Sequence, residues 1–300
     1  ILQAVTVRLL VLACGWITGC GGSPASGSSS SGNEPASNEV PASTVVEASG
    51  PSWSGRLTIT GSSTVAPLAA ELAMRFEDRH PNVRVDVQTG GSSRGIADVQ
   101  TGAADIGMAS RALAGSESEL TGHQIAVDGI CIIVHADNPV ESLADEQVAA
   151  IFRGEVSNWK EVGGRDLPIV VVNKAAGRAT LDVFLHHFHL EHAEIDADVI
   201  VGENQQGIKT VAGNPSAIGY VSIGAAGAEV ERGTPIRMVE VGGVAPTTEN
   251  VASGRFPITR PLLLVTKETL SGTAKAFIEF AQSSDVTDLV EAQYFVASKR

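Results

Sequence analysis

Cysteine is scarce in this chain of 300 residues: there are three, and Cys14 and Cys20 lie at the very start. Cys131 is then alone in the globular part, which excludes an intramolecular disulfide there. It sits in the continuous apolar run Ile130-Cys131-Ile132-Ile133-Val134, which reads as a buried strand around an inert thiol rather than a nucleophile. Positive charge is also short. Twenty-one Lys and Arg against 34 Asp and Glu leave a formal charge of −13, which argues against nucleic acid or an anionic lipid surface as partner, since both need a basic face. A small anion, held by local dipoles and a few cations, is not excluded. Long apolar runs are missing too: Leu9-Leu10-Val11-Leu12-Ala13 is too short to span a bilayer as a helix.

What remains is ample for a folded protein. Hydrophobic residues make up 43% and charged residues 18%, enough for a sizeable core in two domains or one large one, and 32 glycines imply many turns. Arg8 followed by the short apolar run reads as a signal peptide over 1–19. Ile17-Thr18-Gly19-Cys20 resembles the lipobox at which bacterial lipoproteins are cleaved and acylated. Cys14 is a second candidate; Cys20 is favoured because a longer apolar segment precedes it and Gly21-Gly22-Ser23 opens a linker. From Gly21 to about Pro51 the chain is Ser, Gly, Ala, Pro, Asn and Glu, too polar to order itself, so residues 20–55 are expected to hold an acylatable Cys and a flexible tether. The expected location is the periplasm or cell surface, anchored through lipid.

From Arg56 on, strand-like and helix-like runs alternate. Strands are expected at Arg56–Thr60, Val83–Gln88, Asp105–Ala109, Gln124–Val134 and Pro168–Asn173. Helices are expected at Ala66–Arg79, Gly95–Thr101, Ser142–Phe152 and Thr180–His189. This alternation implies an α/β fold with mostly parallel sheets. Three strand-to-helix turns share one chemistry: Thr60-Gly61-Ser62-Ser63-Thr64, Gly90-Gly91-Ser92-Ser93 and Ala176-Gly177-Arg178-Ala179-Thr180. Each offers free N–H groups at the positive end of a helix, with hydroxyls on top. One such turn is an ordinary N-cap. Three in one chain suggest helix starts that converge on an oxyanion.

The second turn carries another reading. Gly91-Ser92-Ser93-Arg94-Gly95 satisfies G-x-S-x-G, the nucleophile elbow of a serine hydrolase, in the strand–turn–helix setting that motif requires. Asp128, Asp182, His135 and His186 follow Ser93 in the order a triad needs, but no HGGG-type oxyanion motif accompanies them. The competing role for Ser93 is a cap on the helix.

In order along the chain, several segments resemble the periplasmic phosphate-binding proteins of bacterial ABC transporters, the PstS family. They are Thr60-Gly61-Ser62-Ser63-Thr64-Val65-Ala66-Pro67, Gly90-Gly91-Ser92-Ser93-Arg94-Gly95-Ile96, Ala104-Asp105-Ile106-Gly107-Met108-Ala109-Ser110-Arg111 and Ala126-Val127-Asp128-Gly129-Ile130. Ile151-Phe152-Arg153-Gly154 with Asn158-Trp159, Gly207-Ile208, and Ala217-Ile218-Gly219-Tyr220 follow. The resemblance implies a two-lobed periplasmic-binding-protein fold of type II, with the ligand in the cleft and the chain crossing twice between lobes. The crossings would fall near Val134–Asn138 and Ile258–Leu264, giving lobe one as 56–134 plus 261–300 and lobe two as 135–260. It further implies inorganic phosphate as ligand, a membrane permease as partner, a monomer, no cofactor and no catalysis.

Position by position, the resemblance places Ser63, Thr64, Ser92 and Thr180 on the phosphate. Ser110, Arg111, Lys174 and Arg178 complete the expected set, with Arg111 and Lys174 as charge-compensating groups; Arg is suited because its planar fork matches two oxygens. The chain departs from the family twice. Arg178-Ala179-Thr180 stands where Ser-Gly-Thr is common, with Lys174 at the position of an upstream Arg. Ser110-Arg111 stands where some members hold an Asp that accepts the proton of hydrogen phosphate. Another tetrahedral oxyanion, or a sensor role, is the alternative reading; a hydrolase using Ser93 is a third. His186, His189 and His192 are spaced to share a helix face, yet no carboxylate or Cys completes a metal site, so no metal is expected. Trp159 reads as packing in lobe two, and Glu117-Ser118-Glu119 as solvated surface.

Overall fold

The computed structural model of the chain describes residues 52–270 and 272–298. The signal segment 1–19, Cys14, Cys20 and the tether as far as Pro51 lie outside the described residues. In chain order the elements are β1 (Gly55–Gly61), α1 (Ala66–Arg79), β2 (Val83–Thr89), α2 (Ser92–Thr101), β3 (Ile106–Ala109), β4 (Leu120–His135), β5 (Ser142–Leu143), α3 (Asp145–Phe152), β6 (Val170–Lys174) and α4 (Ala179–Phe188). There follow β7 (Val199–Val201), α5 (Asn204–Ala212), β8 (Ala217–Ser222), α6 (Ile223–Glu231), β9 (Ile236–Val241), α7 (Thr248–Ala252), β10 (Thr259–Lys267), α8 (Gly272–Ala281), α9 (Thr287–Ala292) and β11 (Val296–Ala297). No helix among the described residues is long and apolar enough to cross a membrane.

Local pattern explains most of these elements. In α1 the buried residues Leu68, Ala69, Leu72, Ala73 and Phe76 recur every three or four positions, one apolar stripe of a 3.6-residue helix. In β4 the residues Thr121, Gly122, His123 and Gln124 are all accessible, whereas Gly129–Val134 is buried throughout. The second half is covered on both faces and therefore needs no polar side. Ser142 and Leu143, expected to open a helix, instead pair with β9, and α3 starts at Asp145.

The sheet order is β2-β1-β3-β10-β4-β8-β6-β7. It is mixed rather than mostly parallel. β1 pairs in parallel with β2 and β3, and β6 with β7 and β8. β10 and β4, by contrast, run antiparallel to each other and to their further neighbours. The reason is connectivity: β4 and β10 carry the chain across in opposite directions, so they must oppose each other.

Two apolar cores follow, and the molecule is two-lobed. One core holds Leu57, Ile59, Leu72, Phe76, Ile106, Ala126, Leu262, Leu264 and Phe277. The other holds Ile130 to Val134, Phe152, Trp159, Phe184, Tyr220 and Ile258. A satellite under α2 takes Leu263 and Val265, the residues that alternate with Leu262 and Leu264 along β10. β4 thus passes from one core to the other between Ala126 and Ile130, and β10 passes between Ile258 and Leu262.

Candidate functional site

Four helix starts meet where β4 and β10 cross between the cores. The expected three are the β1–α1, β2–α2 and β6–α4 turns, and the β7–α5 turn joins them. Ser62, Ser63, Thr64, Gly91, Ser92, Ser110, Arg178, Ala179, Thr180, Gly202 and Asn204 line a small shared cavity. Each turn is held by its own bonds. The Ser62 hydroxyl accepts the N–H groups of Thr64 and Val65 at 3.2 and 3.4 Å, and it donates to Ser110 Oγ at 3.0 Å. The N–H groups of Gly90 and Gly91 both donate to the Gly61 carbonyl at 2.9 Å, which pins the second turn to the first. Gly91, at φ 96°, is the N-cap of α2, a backbone conformation that a side chain strongly disfavours.

Arg260 lies behind the cavity wall, bonded to three of the hydroxyls that line it. It stands opposite Asp128 in the β4–β10 ladder, and both side chains are fully buried. Its Nε and Nη2 donate to Asp128 Oδ2 at 3.0 and 2.8 Å. The remaining N–H groups reach hydroxyls on both sides of the cleft: Thr180 Oγ1 at 2.8 Å, Thr64 Oγ1 at 3.1 Å and Ser110 Oγ at 3.3 Å. Burial raises the Asp128 carboxyl above the ordinary carboxylate range, against the pull of Arg260. Chemically, this is one guanidinium ringed by hydroxyls that can turn their protons toward an anion, at a point where backbone N–H groups of several helices converge.

Of the residues singled out from sequence, Ser63, Thr64, Ser92, Ser110, Arg178 and Thr180 are brought to this cavity. Lys174, 2% exposed, lies behind it: its ammonium donates to the Glu203 carbonyl at 3.0 Å and to Asn204 Oδ1 at 3.4 Å. Arg178 lies at the rim, its Nη1 on Glu203 Oε1 at 2.7 Å.

Arg111 does not line the cavity. Its guanidinium grips Glu117 in two bonds of 2.9 and 2.8 Å and approaches Asp182 of α4 at 3.5 Å. That hydrogen bond from Arg111 holds the Glu117 carboxyl below its usual value, so Glu117 is a partner and not idle surface. Arg111→Ala is therefore expected to weaken anion binding by no more than about fivefold, through the Asp182 contact, since partly exposed ion pairs contribute up to about 1 kcal/mol. Calorimetric titration of the variant checks this.

Ser93 is exposed and sits inside α2, one residue past its start; Gly91 rather than Ser93 caps the helix. No hydrogen bond among the described residues joins Ser93 to a histidine, and Asp128 is committed to Arg260. His189 closes α4 in a left-handed conformation at φ 51°, so His186 and His192 do not continue one helix face. Among the described residues no group of three His, Cys, Asp or Glu side chains is arranged to hold a metal. Trp159 is buried in the second core, as expected.

Sequence reasoning missed Arg260, Ser62 and Asn204. The segment Pro257-Ile258-Thr259-Arg260-Pro261-Leu262-Leu263-Leu264-Val265 was read only as a crossing. Its one signal was a lone cation entering an otherwise apolar strand, which requires a buried partner.

A two-lobed α/β molecule with polar helix starts converging in its cleft has the architecture of a solute-binding protein, and the family model described as "PBP superfamily domain" matches residues 27–285. The chain belongs to the PstS family of phosphate-binding proteins. It is 32% identical to the phosphate-binding protein PstS of Bacillus subtilis over 78% of this chain and 77% of that protein. It is 29% identical to PstS of Borreliella burgdorferi over 81% of this chain and 90% of that protein. Among solved structures, a protein from Clostridium perfringens described as a phosphate ABC transporter substrate-binding protein, with bound phosphate, superposes with a TM-score of 0.77 at 35% identity. The match covers 82% of this chain and 100% of that one.

Proposed function

We propose that this chain binds inorganic phosphate in the cleft and delivers it to the membrane permease of an ABC transporter. The observation that carries the reading is Arg260, fully buried and bonded to hydroxyls of Thr64, Ser110 and Thr180 drawn from both sides of the cleft. A phosphate dianion stripped of water is stable only where many oriented donors replace its hydration. Ser63, Thr64, Ser92, Ser110 and Thr180 supply hydroxyls, the α1, α2, α4 and α5 starts supply N–H groups, and Arg260 supplies charge. The relatives named above support the same assignment.

The lobes close as one core, built on 57–126 and 262–295, moves against the other, built on 130–258. The protein works outside the cytoplasm as a monomer, acylated at Cys20 and held to the membrane by the 20–55 tether, the Ser/Gly/Pro-rich composition of which supports that role. It is a carrier, not an enzyme; the place of Ser93 within α2, past the turn where an elbow nucleophile would sit, supports this.

One observation favours a second reading, that another tetrahedral oxyanion is preferred: no carboxylate lines the cavity to accept a proton from hydrogen phosphate. Titrating the purified protein with phosphate, arsenate, sulfate and molybdate separates the two. Phosphate is expected to bind one per chain, with arsenate close behind and sulfate at least about tenfold weaker, a difference of about 1.4 kcal/mol. Heat with sulfate or molybdate and none with phosphate would overturn the assignment.

A further inference from the structure

Two of the cations at the cleft have a carboxylate of their own. Arg260 is paired with Asp128, and Arg178 with Glu203. Lys174 has none within ion-pair distance among the described residues. Its ammonium, on a side chain buried at the end of β6, donates to two neutral oxygens, the Glu203 carbonyl and Asn204 Oδ1. Asn204 in turn donates through Nδ2 to Thr64 Oγ1 at 3.1 Å, the hydroxyl that also receives Arg260. Lys174 is therefore one side chain away from the cavity wall, on a continuous hydrogen-bonded path to it.

We propose that Lys174 takes up a proton from solvent as the oxyanion enters, so that the last compensating charge is recruited at the moment of binding. The inference rests on the assignment of an oxyanion to this cleft. In the step itself, the lone pair of the neutral amine accepts a proton from buffer and becomes the ammonium; no other bond changes.

The surroundings favour this. Burial, then the facing charge of Arg260 on β10, and Arg178 before α4, lower the Lys174 pKa to about 7, with Glu203 at the start of α5 opposing them. Tyr220 of β8 accepts the Lys174 backbone N–H and faces the same space; burial raises its phenol, which stays neutral. Asp128 of β4 lies beyond Arg260 and is the rival site, since an incoming anion would raise its carboxyl as well.

The sign is definite. The anion-bound state favours charged lysine, so its pKa rises on binding. The Lys174 contribution to affinity is complete below the anion-empty value of about 7 and declines as pH rises above it. At pH values well above neutrality phosphate is the dianion throughout, and its own titration no longer contributes.

The test is calorimetric titration of the protein with inorganic phosphate at about pH 8.5 in buffers of different ionisation enthalpy. Binding heat that varies with buffer enthalpy, with a slope of about one proton taken up per phosphate, and an apparent Kd that rises about tenfold per pH unit above 8, are the expected results. Lys174→Arg, charged at every accessible pH, is expected to bind phosphate with heats independent of buffer. Buffer-independent heats in the unaltered protein would overturn the proposal alone. Uptake that persists in Lys174→Arg would overturn it in favour of Asp128. No heat with phosphate in any buffer would overturn the phosphate assignment, and this proposal with it.

Discussion

Arg260→Met is expected to weaken phosphate binding by at least about a hundredfold and to lower stability at the same time. Its three N–H bonds to Thr64, Ser110 and Thr180 orient those hydroxyls toward the proposed anion and set a positive charge behind them, and hydrogen bonds to a charged partner contribute about 1.5–3 kcal/mol each. Removing the guanidinium also leaves Asp128 buried without its cation, a loss of about 3–5 kcal/mol for a buried pair broken on one side. The raised pKa of Asp128 softens that loss, because the carboxyl can protonate instead. The two effects are separable. Arg260→Met combined with Asp128→Asn removes both charges and is expected to recover most of the thermal stability while phosphate binding stays weakened by at least about a hundredfold. Calorimetry and thermal unfolding read the two quantities. A double variant that binds phosphate as tightly as the unaltered protein would remove Arg260 from the site.

Gly95→Ala is expected to lose about 3 kcal/mol or more of stability, a fall in melting temperature of roughly 10 °C for a domain of this size, together with most of the binding. A β-carbon at Gly95 would run into the Thr60 carbonyl oxygen and lie 2.7 Å from Gly61 Cα. Both obstacles are backbone, so no rotamer relieves the clash, and α2 must back away from β1. Gly107 of β3 closes the other side, where its own β-carbon would lie 2.8 Å from the Gly95 carbonyl oxygen. The displacement reaches the cavity directly, because Ser92 opens the same helix and its Oγ accepts the Ser110 N–H at 3.1 Å. Gly115→Ala, at an exposed turn where a β-carbon meets nothing within 4 Å, is the matched control and is expected to change neither quantity. Equal melting temperatures for the two variants would show that α2 is not seated by this contact. The G-x-S-x-G pattern thus has a physical reason unrelated to nucleophilic attack: Gly91 supplies the positive φ of the cap, and Gly95 lets the helix start approach the end of β1.

Much of this was legible in the residues because it is local. The apolar stripe of α1, the alternation in β2 and the hydroxyl-bearing turns at Ser62–Thr64 and Ser92 depend on neighbours a few positions apart. Boundaries slipped where tertiary pairing competed with local pattern, as at Ser142-Leu143, claimed by β9 before the helix could begin. Arg111 illustrates a different limit. An arginine near three anion-cradling turns satisfied every local criterion for a ligand, yet Glu117, six residues on, takes its fork in two bonds. Spacing alone does not say which of two partners a flexible side chain will choose.

By itself the sequence determined the α/β class, the helix starts that carry hydroxyls, and the membership of a binding-protein family. These follow from periodicity, from the chemistry of short turns and from ordered motifs. Only the tertiary structure decided which cation lies among the cleft hydroxyls. Arg260 is 80 residues from Thr180 and 196 from Thr64, and it reaches both because the β4–β10 ladder sets it opposite Asp128. A shift of one residue in that ladder would turn Arg260 to the other face and bring Thr259 or Pro261 to the site. Strand register is a property of the folded sheet, and with it came the charge at the centre of the cleft.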